Sequence, residues 1–212
     1  MQALNNLHED VSLPPQMSAA QNAILDAALR VFVDLGYEAA NMRIIAAESG
    51  YSKPTIYANF GSKKGLFEAL VSNTCAQIKH PDIEIDETLN ARDILVDLAQ
   101  GYRDNVLSSG FIEFYRLVIS EAKRFPGLGA IFYRFGPQAS RSSLAKLLLQ
   151  LSEKKILGPI EHPETAAEQF EALVLEPIKV RAFLLTETKI PPADVDAFVQ
   201  AAITTFLKAY DA

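Results

Sequence analysis

From Gln21 onward, apolar side chains recur at the spacing of one helix face, and no stretch alternates convincingly as a strand would. Ile24, Ala27, Ala28, Val31, Phe32 and Leu35 follow the i, i+3, i+4, i+7 rule until Gly36 ends the stripe. A second stripe of about two turns, Met42, Ile45, Ala46 and Ser49, is opened by Asn41 as N-cap and closed by Gly50 as C-cap. Ser52 is placed to cap a third short helix, with Pro54 in its first turn, where a missing N–H costs nothing, and Ile56 and Phe60 turned inward. After Gly61 and Ser62 a longer stripe follows: Leu66, Phe67, Leu70, Val71, Thr74, Cys75 and Ile78. The spacing predicts an all-α chain that begins with a three-helix unit and a linking fourth helix.

The acidic, proline-bearing stretch HPDIEIDETLN at 80–90 breaks the pattern and is expected to mark a domain junction. Helical segments are then predicted at 91–108, 110–124, 127–153, 163–187 and 192–210, divided by Gly110, Pro126, Gly158 with Pro159, and Pro191 with Pro192. Kinks are expected at Gly136–Pro137 and at Pro177. Three segments result: a flexible arm at 1–18, a helical domain at 19–79 and a larger helical domain at 80–212.

Charge narrows the function. The chain is acidic, with a net charge of −6, which taken alone opposes a nucleic-acid partner. Residues 41–64 reverse that average, carrying Arg43, Lys53, Lys63 and Lys64 against the single acid Glu48. No apolar run suits a membrane span, and the polar, acidic opening is unlike a secretory leader, so no membrane partner and a cytoplasmic location are expected. The lone Cys75 is expected to be a small core residue, and His8, His80 and His162 stand singly, so neither a metal nor another cofactor is expected. An enzyme is not expected either. Ser152 and Lys155 match a serine-x-x-lysine spacing without its companion motifs, and Gly127 and Gly129 follow no strand.

Helix, short helix, glycine turn, short helix is the order of a helix-turn-helix, and the positive charge lies on its second half. Residues 24–71, ILDAALRVFVDLGYEAANMRIIAAESGYSKPTIYANFGSKKGLFEALV, resemble the DNA-binding domain of the TetR family of transcription regulators nearly position by position. The resemblance implies a recognition helix at Ser52–Phe60 in the major groove of operator DNA. It places Lys53, Pro54, Thr55 and Asn59 toward bases or sugars, and Arg43, Ser52, Tyr57 and Lys63 on phosphates. Asn59 is able to pair bidentately with an adenine edge, and Lys63 sits in the first turn of the fourth helix, where free N–H groups also attract phosphate.

FYRLVISEAKRFPGLGAIFYRFGP at 114–137, with SLAKLLLQL after it, resembles the AefR-like branch of the same family. That implies a C-terminal domain for ligand sensing and dimerisation, and a repressor released by a small hydrophobic or amphipathic effector. Tyr102, Phe111, Phe114, Tyr115, Val118 and Phe132 are the candidate lining of an effector cavity, an apolar wall with polar tips. Phe170, Leu173, Val174, Phe183, Leu184, Phe198 and Phe206 are the candidate homodimer interface. In such a dimer two reading heads stand about 34 to 36 Å apart, and an effector tilting the fourth helix breaks their registration. The competing reading is a helical protein-interaction module that keeps the fold without binding DNA.

Overall fold

The structure, a computed structural model, describes residues 17–76, 90–185 and 192–210. The expected arm up to residue 16, Ile78 and the junction at 80 lie outside the described residues, as does the side chain of Cys75. Among the described residues every regular element is helical: α1 (Ala19–Ala39), α2 (Met42–Ser49), α3 (Lys53–Phe60), α4 (Lys63–Ala76), α5 (Ala91–Val106), α6 (Ser109–Ala122), α7 (Pro126–Tyr133), α8 (Ala139–Glu153), α9 (Pro163–Leu184) and α10 (Pro192–Ala209).

Local chemistry sets the ends of these helices. Ser18 and Gln21 form a capping box, each side chain bonding the other's backbone, so α1 starts at Ala19, ahead of the apolar stripe that begins at Ile24. Gly36, at φ 77°, breaks its helical geometry where the stripe ends. Asn41 Oδ1 accepts the N–H groups of Arg43 and Ile44, and Asn90 Oδ1 accepts that of Arg92, opening α2 and α5 as expected of Asn at an N-cap. Between α7 and α8 the chain forms a π-helical turn, Arg134–Gln138, around Pro137. A proline supplies no N–H to the turn before it, and a widened turn accommodates that loss at the expected kink. Pro177 lies within α9, which continues as helix across it.

Two compact units emerge from packing. The first joins α1–α4 to α6 from Glu113 onward, α7 and the π-turn. Its core is a chain of rings: Tyr37 stands 5.5 Å from Phe32, 5.4 Å from Phe67 and 5.1 Å from Phe125, measured between centroids. Phe67 continues it to Phe114 at 5.7 Å, and Phe114 to Phe132 at 5.9 Å. Such contacts add about 0.5 to 1.5 kcal/mol each beyond the area they bury.

The second unit comprises α5, the first residues of α6, and α8–α10. Here α10 packs on α9 and α5, with Ile203, Phe206, Phe170 and Val174 all buried and Phe170 and Phe206 5.2 Å apart edge to face. Three of the residues expected at a dimer interface, Phe170, Val174 and Phe206, are therefore core of the chain itself and have no surface for a second copy to cover. Leu173, Phe183 and Phe198 are half-buried. Leu184 is 73% exposed, and beside it Val180 and Leu185 are exposed apolar residues that the periodicity did not single out.

The six candidate effector-lining residues are divided. Tyr102 and Phe111 belong to the second unit, Phe114, Tyr115, Val118 and Phe132 to the first, where Phe114 is fully buried among Phe67 and Phe132. Around Tyr102 the second unit holds a polar relay. Ser140 Oγ lies 3.0 Å from the Tyr102 hydroxyl and 2.9 Å from Glu171 Oε1, and Arg141 Nε donates to Glu171 Oε2 at 3.1 Å. The single proton of Ser140 serves the carboxylate, which leaves the tyrosine hydroxyl to donate to Ser140. Burial pushes Glu171 above the usual carboxylate range against the pull of Ser140 and Arg141, and burial with Glu171 close by pushes Tyr102 up as well.

Candidate nucleic-acid interface

The reading head is built outward from a few buried anchors. Ile45 of α2 and Ile56 of α3 are fully buried, and they hold the two short helices against α1 and α4. Between them Gly50 takes the left-handed conformation, φ 74° and ψ 5°, and its N–H returns to the Ala46 carbonyl. This is the αL termination that glycine accepts without steric cost, and it turns the chain sharply enough to place the α3 cap, Ser52, two residues later. Ser52 then caps α3 by accepting the Thr55 N–H at 3.2 Å, with Pro54 in the first turn.

With Ile56 inward, α3 presents Ser52, Lys53, Pro54, Tyr57, Ala58 and Asn59 to solvent. Tyr57 is 48% exposed. No carboxylate lies on α3, so the face opposes no phosphate. Arg43 is exposed in the first turn of α2, the adjoining element. Thr55 is half-buried, and its hydroxyl lies 2.8 Å from that of Ser52. Asn59 donates one amide hydrogen to the Thr55 carbonyl at 2.8 Å, which fixes the side chain along the helix while the second hydrogen and Oδ1 remain for a ligand. Seven of the eight candidate DNA contacts are thus exposed or half-buried on α2, on α3 and at the α3 cap.

Lys63 is the exception and a correction. Its ammonium donates to the carbonyls of Tyr37, Glu38 and Ala40 at 2.7, 3.1 and 2.8 Å and lies 4.5 Å from the centre of the Tyr37 ring. All three of its protons are engaged by the end of α1, so the side chain is a structural clamp and not a free phosphate ligand. Burial lowers its pKa, opposed by the nearby carboxylates Glu38 and Glu121. Lys64, its neighbour, is exposed and pairs with Glu68 one turn on at 3.6 Å.

Three further contacts orient the head, and none was signalled by spacing. Arg30 of α1 bonds Glu48 of α2 at 2.9 Å. Glu121 of α6 accepts the Tyr37 N–H at 3.0 Å, and Arg124 pairs with Glu38. Each links residues between 18 and 86 positions apart, beyond the reach of any local pattern.

Comparison with known proteins agrees with this geometry. Residues 24–70 match the model of the bacterial regulatory proteins of the tetR family, and residues 93–212 match that of the AefR-like transcriptional repressor C-terminal domain. Over 48 residues the chain is 50% identical to the transcriptional activator FasR of Mycolicibacterium smegmatis, and over 51 residues 39% identical to the repressor ComR of Escherichia coli. These matches cover 23% and 24% of this chain and 22% and 24% of those proteins, so the chain spans under a third of the curated relatives it matches. The solved structure of the flavonoid-responsive regulator FrrA superposes with a TM-score of 0.76 at 28% identity, over 91% of this chain and 97% of that one. No helix among the described residues is long and apolar enough to cross a membrane. A glycine-turned pair of helices with a cationic, acid-free outer face, followed by a C-terminal domain matched over more than half the chain, makes this protein a member of the TetR family of DNA-binding transcription regulators.

Proposed function

We propose that this regulator is a cytoplasmic two-fold homodimer that represses transcription from a double-stranded operator and is released by a small hydrophobic or amphipathic effector. The observation that carries the DNA contact is the outer face of α3, where Lys53, Pro54, Tyr57 and Asn59 stand exposed on a helix anchored by the buried Ile56. Lys53, Pro54, Thr55 and Asn59 read base edges or sugars, while Arg43, Ser52 and Tyr57 hold phosphates on either side. The phosphate assigned to Lys63 falls instead to the first-turn N–H groups of α4, where the helix dipole favours an anion.

The sign of regulation rests on the match of the C-terminal domain to the AefR-like repressors, because FasR and ComR, each similar to this chain over about fifty residues, have names that give opposite signs. The effector class rests on the aromatic residues of α6 and α7 within the first unit and on FrrA, whose name records a response to flavonoids.

Anisotropy titrations of labelled promoter fragments at several salt concentrations test this reading. Lys53→Ala is expected to weaken binding and to lower the salt slope by about one, and Tyr57→Ala to weaken it as well. Binding indifferent to salt and to both substitutions would instead support a protein-interaction module. A flavonoid probe is expected to weaken operator binding roughly 5- to 150-fold; equal affinities with and without it would remove the sensing claim and leave DNA binding intact.

A further inference from the structure

Within the second unit, the start of α5, the turn after α8 and the end of α10 surround a solvent-open cavity of about 720 Å3. Its described lining includes Arg92, Lys154, Lys155 and Lys208, with Asn90 and Thr204, and no carboxylate. Four cations around one hollow are unexpected in a chain whose net charge is −6. Arg92, Lys155 and Lys208 make no ion pair among the described residues, although eight such pairs form elsewhere. Arg92 is held in place by donating to the Thr204 hydroxyl at 3.1 Å, which in turn donates to the Gln200 carbonyl.

The backbone supplies an independent observation. Ile156 N–H bonds the Leu151 carbonyl and Lys155 N–H the Ser152 carbonyl, the paired closure that ends a helix with a left-handed residue. That residue is Lys155, at φ 60°, where glycine is the unstrained choice and a lysine is held at a steric cost. The serine-x-x-lysine spacing is thereby accounted for: Ser152 donates to the Gly158 carbonyl at 2.8 Å to close the turn, and Lys155 is directed to the cavity rim.

We propose that this cavity binds a small organic polyanion, a phosphate ester or a di- or tricarboxylate, independently of the DNA interface and of the aromatic region. Like charges set around one hollow repel, and an anion with two or more negative oxygens relieves that repulsion while replacing water. The volume lies within the roughly 300 to 1,000 Å3 of ordinary small-molecule sites.

Calorimetric titration of the full chain at low ionic strength, with inorganic pyrophosphate and with citrate as probes, decides the matter. Saturable binding of at least one probe at one per chain is expected, the tighter probe identifying the phosphate or the carboxylate class. In the double variant Lys155→Gly, Lys208→Gln the affinity is expected to fall at least tenfold, with operator affinity within twofold of the parent. Lys155→Gly alone is expected to melt no lower than the parent, since glycine suits that backbone, so lost binding is not misfolding. No saturable binding of either probe, or undiminished affinity in the double variant, overturns the proposal.

Discussion

Lys53 and Lys63 each open a helix within the basic segment, yet they do different physical work. A cation in the first turn of α4 is opposed by that helix's own dipole, and Lys63 is stable there because the negative carbonyl end of α1 lies within its reach. Removing it leaves three carbonyls without their shared donor. Lys63→Ala is expected to destabilise the protein by about 1 to 2 kcal/mol, read from urea unfolding followed by circular dichroism. Lys53, exposed and making no ion pair among the described residues, is expected to leave stability unchanged when replaced and to show its loss only on DNA. A parent-like unfolding midpoint for Lys63→Ala would return that side chain to the phosphate contacts.

At the scale of elements, the corner between α1 and α2 is where the head is fastened. Gly36 has φ 77° and ψ 162°, a region essentially closed to side-chain-bearing residues, and a β-carbon there would stand 2.9 Å from Glu121 Oε1. The same carboxylate accepts the next N–H, that of Tyr37. Gly36→Ala is therefore expected to cost about 1 to 3 kcal/mol and to disturb the seat of α1 on α6, lowering both the melting temperature and operator affinity. An alanine variant that melts and binds like the parent would show the corner to be compliant. The glycine itself was visible in the sequence as the end of a stripe, whereas its second constraint comes from a residue 84 positions from the N–H it accepts.

For the whole molecule, a second copy needs surface that the chain has not already covered. Of the residues expected to pair, Leu184 qualifies, and Val180 and Leu185 join it, while Phe170, Val174 and Phe206 are interior. Leu184→Glu is expected to shift sedimentation from dimer toward monomer and to lower operator affinity at least tenfold, because two half-sites held together bind far more tightly than one. An undiminished dimer would move the interface away from the end of α9.

What the amino-acid order determined by itself is whatever depends on neighbours within a turn or two. The 3.6-residue stripes, the Asn41 and Ser52 caps, the glycine turn at Gly50 and the outward face of α3 all belong there, because side chains three or four residues apart meet whatever the rest of the chain does. Only tertiary structure decided which rings became interior, that Lys63 caps α1 instead of facing solvent, that the later part of α6 packs with the reading head, and that four cations share one hollow. Those outcomes join residues tens of positions apart, and a helical period carries a side chain's direction but not the identity of what it will meet.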